Sequence, residues 1–188
     1  MPRISSQEKI VDAETLIHFV IPTNPETIKS IGKFAIIWNY LEDQMRQKHK
    51  KAGYYSISQK IDNSMLFGYE ETIDRLYEKL EVYMTREWNG YNANNLRDCF
   101  GISFENPYKD IEEKDYVLIF NGNGFEDKLK LLFLVAKRIR NNMFHGINGK
   151  QDLDRLDKQR DLFEIGYDVI SIIVRLRKKN SSFRFVYS

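Results

Sequence analysis

The sequence predicts an all-α protein, a bundle of four to five main helices with irregular connections. Four stretches repeat apolar residues at spacings of three and four, as amphipathic helices do. Residues that favour helix starts and stops bound them. The short apolar run from Tyr116 to Phe120 has no convincing strand to pair with. At 188 residues the chain suits one domain, residues 1–188, large enough to bury a core. Residues 1–23 form an N-terminal extension to it and residues 180–188 an apolar tail.

The extension is ambiguous. Ile10, Val11, Leu16, Ile17, Val20 and Ile21 fit a short helix, and Leu16 to Ile21 also fits a strand; Pro22 ends either. Asn24 can then cap a helix, Pro25 fits its first position and Glu26 suits its first turn. Ile28, Ile31, Ala35, Trp38, Leu41 and Met45 place this helix over residues 25–50, and Arg46, Lys48, His49, Lys50 and Lys51 favour its C-terminal end. Residues 52–68 read as a loop. Ile73, Leu76, Leu80, Tyr83 and Met84 predict a second helix over 69–87.

From Trp88 to Gly124 the pattern is poor and punctuated by asparagine and glycine, with one short helix at 94–99. Tyr116 to Phe120 reads there as a buried connection or brief strand. Asn121-Gly122-Asn123-Gly124 is a turn; it lacks the Gly-Lys-Ser/Thr ending of a phosphate-binding loop. Phe125, Leu129, Leu132, Ala136, Ile139 and Met143 mark the third long helix, which Gly146 and Gly149 end. The last helix, 152–178, should bury Leu153, Leu156, Phe163, Tyr167, Ile170, Ile173 and Val174.

Composition narrows the function classes. Apolar residues make up 42% and aromatics 13%, as in a folded protein, and a net charge of +2 excludes a histone-like polycation. Nucleic-acid binding must therefore come from local patches. The single cysteine, Cys99, forms no internal disulfide and points to a reducing compartment. No apolar run approaches the ~20 residues of a membrane span, and the first residues lack a signal-peptide core. The expectation is a cytoplasmic protein with no membrane partner. His18, His49 and His145 have no metal-ligand spacing, so neither metal nor cofactor is expected. Glu70-Glu71 and Glu112-Glu113 read as solvated faces. The basic runs Arg46 to Lys51 and Arg175 to Lys179 suit helix ends and could also meet an RNA backbone. Tyr54 and Tyr55 could stack bases.

The chemistry concentrates in Lys137-Arg138-Ile139-Arg140-Asn141-Asn142-Met143-Phe144-His145-Gly146. An arginine holds a phosphate with a planar fork of donors, and a histidine moves protons near neutral pH. Together they suit phosphodiester cleavage without a metal. On a continuous helix Arg140 and His145 stand about 140° apart, whereas Arg138, Asn141 and His145 share a stripe. The helix must break near Asn142 to join Arg140 to His145, or the two must meet across two chains.

Arg-Asn-Asn-Met-Phe-His-Gly at 140–146 closely resembles the R-N-x-L-F-H-G signature of HEPN domains, whose broader motif is R-x(4–6)-H. The likeness covers residues 135–149 and, more loosely, the last helix. It implies a HEPN-like α-helical bundle and a metal-independent endoribonuclease acting as a homodimer, of the kind found in bacterial toxin–antitoxin and antiviral defence systems. An antitoxin or defence protein would be a further partner. Carried over, Arg140 is the motif arginine, Asn141 the polar residue after it and His145 the motif histidine. They form the expected catalytic set, with Lys137, Arg138 and Asn142 beside them as RNA-binding residues. Where toxins paired with minimal nucleotidyltransferases have His-x-Tyr, this chain has His145-Gly146-Ile147, so control by nucleotide transfer to that tyrosine is not implied. The rival expectation is a non-catalytic HEPN module that binds RNA, a nucleotide or a partner protein.

Overall fold

The computed structural model describes residues 24–46, 61–105, 109–145 and 157–179. Within them lie six helices: α1 (Pro25–Arg46), α2 (Glu70–Trp88), α3 (Ala93–Phe100), α4 (Glu113–Asn121), α5 (Phe125–His145) and α6 (Arg160–Lys179). One 3-10 turn, Asn63–Met65, precedes α2, and the described residues contain no strand. The protein is an all-α bundle with four long helices, as the sequence predicts. None of the described helices is long and apolar enough to cross a membrane. The expectations for residues 1–23, for Lys48 to Lys51, for Tyr54 and Tyr55 and for the 180–188 tail lie outside the described residues.

Helix α1 starts as its cap residues dictate. The Asn24 side chain accepts the Glu26 N–H at 2.9 Å, and the Asn24 carbonyl accepts those of Thr27 and Ile28. Its buried line is Thr27, Ser30, Phe34, Trp38 and Leu41. In the first half this is rotated from the expected stripe: Ile28 is exposed, and Ile31 and Ala35 are half-buried. The cause is the partner helix. Phe34 lies on Gly166 of α6, where a Cβ would stand 2.7 Å from the ring, so the missing side chain makes room for the phenyl group. Phe34 also packs edge-on to Trp38 and against Phe163, with ring centres 5.9 and 6.3 Å apart.

Helices α1 and α6 run in the same direction. Phe34 meets Phe163 near their starts, and Arg177 Nη2 donates to the Gln44 carbonyl near their ends. Helix α2 runs opposite to α6, with Arg86 on Asp161 at one end and Lys179 over the Tyr69 ring at the other. All five residues expected inside α2 are buried. Helix α5 packs against α2, α3, α4 and α6, and every side chain from Leu131 to Ala136 is buried. In α6, Phe163, Ile170, Ile173 and Val174 are buried as expected and Tyr167 is half-buried; Leu153 and Leu156 lie outside the described residues.

The segment from Trp88 to Gly124 is more helical than its pattern suggests. Asn92 caps α3 by accepting the Asn95 N–H at 2.9 Å, and Gly101 closes it at a φ of 63°. Tyr116 to Phe120 is neither strand nor buried connection but the middle of α4. Tyr116 is buried and its hydroxyl donates to the Ala93 carbonyl at 2.7 Å, while Val117 and Leu118 face solvent. A helix of nine residues is too short for its apolar run to show a period.

Candidate functional site

Position along α5 decides what each motif residue meets. Phe133 and Arg140 are seven residues apart and so share one face. On α1, Trp38 and Glu42 share a face four residues apart. The two faces meet: the Trp38 and Phe133 rings stack with centres 6.4 Å apart, and Arg140 Nη2 stands 2.9 Å from Glu42 Oε1. The same carboxylate oxygen accepts the Trp38 indole N–H at 2.9 Å. Arg140 Nη1 donates to Asn141 Oδ1 at 3.4 Å, which joins two of the three expected catalytic residues. The Glu42 side chain is 13% exposed and that of Arg140 21%, with Arg140 Nε buried.

The other two cations go elsewhere. Lys137 Nζ lies 2.8 Å from Asp110 Oδ1 and Arg138 Nη1 lies 3.3 Å from Asp110 Oδ2. Arg138 Nε also donates to the Phe100 carbonyl at 2.9 Å, and Asp110 Oδ2 accepts the Ser103 N–H at 2.9 Å. The Asp110 side chain is only 3% exposed. This buried hub ties Phe100, Ser103 and Asp110 to α5. It gives the side chains expected to touch RNA a structural task, with 15% of Lys137 and 20% of Arg138 still reaching water. Asn142 is half-buried on the next turn.

Helix α5 runs unbroken through Asn142 to His145, so of the two alternatives for joining Arg140 to His145 the break near Asn142 does not form. The His145 side chain lies outside the described residues, but its place on the helix follows from the backbone. Seven residues after Arg138, it falls on the Arg138 face, about 140° from Arg140 and about 7.5 Å further along the axis. The structure thus brings Arg140 to Asn141 and turns position 145 to a different side of the helix.

Sequence reasoning missed Glu42 and Asp110. A signal for Glu42 existed: a carboxylate four residues after Trp38 falls within about 40° of an apolar stripe. Asp110 sits in an unpatterned segment and carried none. Among the described residues, no group of three or more histidine, cysteine, aspartate or glutamate side chains could hold a metal ion.

Neither family models, curated proteins nor solved structures offer a match to this chain. Its chemistry must be argued from the residues themselves.

Proposed function

We propose that the chain is a metal-independent, HEPN-like endoribonuclease of a toxin–antitoxin or antiviral defence system, with Arg140 and His145 as its reacting groups and Asn141 as their partner. The observation that carries the reading is Arg140 itself: a guanidinium aligned by Glu42 and Asn141, on a side chain one-fifth exposed, within a string that reads Arg-Asn-x-x-Phe-His-Gly.

RNA carries its own nucleophile. A base removes the 2′-hydroxyl proton, the 2′-oxygen attacks phosphorus, and the 5′-oxygen leaves with a proton from an acid. The products are a 2′,3′-cyclic phosphate and a 5′-hydroxyl. Histidine can serve as either base or acid, typically worth about 10²–10⁴-fold. Arg140 offers fixed donors to the charge that grows on the phosphoryl oxygens. Each chain has one motif histidine, and an unbroken α5 separates it from Arg140. A two-fold homodimer, in which two copies of the motif face one cleft, supplies both proton-transfer roles and lets Arg140 of one chain work with His145 of the other.

The test is cleavage of single-stranded RNA in EDTA beside a DNA of the same sequence. RNA is expected to be cut to the ends named above and DNA to survive, since it lacks the 2′-hydroxyl. Products with 5′-phosphates, or strict dependence on magnesium, would contradict the mechanism.

A second reading has one observation in its favour: the Arg140–Glu42 ion pair also suits an arginine that only holds α1 to α5. The protein would then be a non-catalytic module binding RNA, a nucleotide or a partner protein. Arg140→Lys separates the two. The lysine keeps the charge for Glu42 but loses the fork, so cleavage should collapse on the nuclease reading while the fold persists.

A further inference from the structure

The last turns of α1 and α6 finish side by side, joined by the Arg177 to Gln44 hydrogen bond at 2.8 Å. On α6, positions 175, 178 and 179 fall within about 100° of one another. Arg175, Lys178 and Lys179 are all exposed, and among the described residues none of the three is in an ion pair. Two aromatic rings border the two lysines. Lys178 Nζ stands 5.6 Å from the centre of the Tyr40 ring on α1, and Lys179 Nζ stands 5.2 Å from that of Tyr69, just before α2. Tyr40 is 40% exposed.

The same helix starts with the opposite charge, at Asp161, Glu164 and Asp168. The helix dipole favours a cation near a C-terminus, and the Tyr40 and Tyr69 rings lie beside two of these three, none of which is in an ion pair among the described residues. Cations for phosphates with aromatic faces for bases are what single-stranded nucleic acid requires. Carboxylates on the adjoining turns are Asp43, Glu70 and Glu71, and among the described residues none of them pairs with Arg175, Lys178 or Lys179. Glu42, which holds Arg140, lies on α1 between Tyr40 and Gln44, so this surface and the candidate site share the last turns of one helix.

We propose that this end of the bundle docks single-stranded RNA, with Arg175, Lys178 and Lys179 against phosphates and the Tyr40 ring against a base. The choice of RNA rests on the ribonuclease reading; the surface is where such an enzyme holds substrate away from the bond it cuts.

Binding is read by fluorescence anisotropy with a labelled 2′-O-methyl RNA, which has no nucleophile and is not cleaved. Lys178→Glu with Lys179→Glu should weaken binding roughly tenfold or more and flatten the slope of log affinity against log salt by about 1.4. Tyr40→Leu should weaken it roughly fivefold or more. Wild-type affinity in the charge-reversed variant, with an unchanged circular dichroism spectrum, overturns the proposal. So does preferential binding to phosphatidylserine vesicles that the same two substitutions abolish, because the partner is then a membrane.

A dinucleotide too short to reach the surface separates the two readings. Wild type that cuts the dinucleotide, with RNA binding indifferent to the substitutions, sinks the docking surface alone. A long single-stranded RNA that wild type binds through Lys178 and Lys179 but never cuts sinks the nuclease and supports the surface.

Discussion

Glu42 is the residue on which the site reading turns. It accepts the Trp38 indole N–H and faces the Arg140 guanidinium with one oxygen, each at 2.9 Å. Glu42→Gln keeps an acceptor for the indole but removes the charge that aligns Arg140. RNA cleavage should fall roughly tenfold or more with little change in melting temperature; undiminished cleavage would remove Glu42 from the site. Glu42→Ala should also cost about 1–3 kcal/mol of stability in chemical denaturation, since the indole loses its acceptor. The string from Arg138 to Gly146 was legible because its chemistry is local in sequence. The grip on Arg140 was not, because its partner lies on a helix nearly a hundred residues earlier, and periodicity does not say which faces meet.

At the scale of elements, α2 and α5 were legible from their stripes and α1 from its cap. The first half of the α1 stripe was misplaced, because burial there follows the groove that α6 offers, while Trp38 and Leu41 are buried as expected. Gly166→Ala tests that contact: a methyl group 2.7 Å from the Phe34 ring should destabilise the protein by about 1–3 kcal/mol, measured by denaturant midpoint at unchanged slope. A neutral substitution would mean that the two helices separate easily. The Asp110 hub offers a second test. Asp110→Ala leaves Lys137 and Arg138 without their carboxylate, an expected loss of about 2–4 kcal/mol, moderated because both cations reach water.

Helices α2 and α4 also share an aromatic cluster with Tyr91, which lies between α2 and α3 and whose hydroxyl donates to that of Tyr77 at 2.7 Å. Burial, then that hydrogen bond, pushes Tyr91 above the usual phenol range, and burial pushes Tyr116 up as well. Both stay protonated in the folded chain after the unfolded chain has released its protons near pH 10. The folded state then binds more protons, so stability should fall as pH rises through about 10. Tyrosinate absorbance followed with circular dichroism should show these two phenols ionising only as helicity is lost. Their full ionisation in a folded protein would contradict the burial argument.

For the whole molecule the governing feature is the unbroken α5, which sets Arg140 and position 145 on different faces of one helix. The all-α bundle was readable from four periodic stretches, but the continuity of α5 was not, because Asn-Asn and a following glycine permit a break without requiring one. If catalysis needs Arg140 and His145 together, the site must be completed by a second copy. Mixing two inactive chains, Arg140→Ala and His145→Ala, tests this most directly. With equal amounts and free exchange, half of the dimers are mixed, and each carries one intact Arg140 and one intact His145 in the shared cleft. Part of the wild-type cleavage should return. No recovery from a mixture shown to exchange, or a wild-type monomer that cuts RNA at full rate, would contradict the two-chain site.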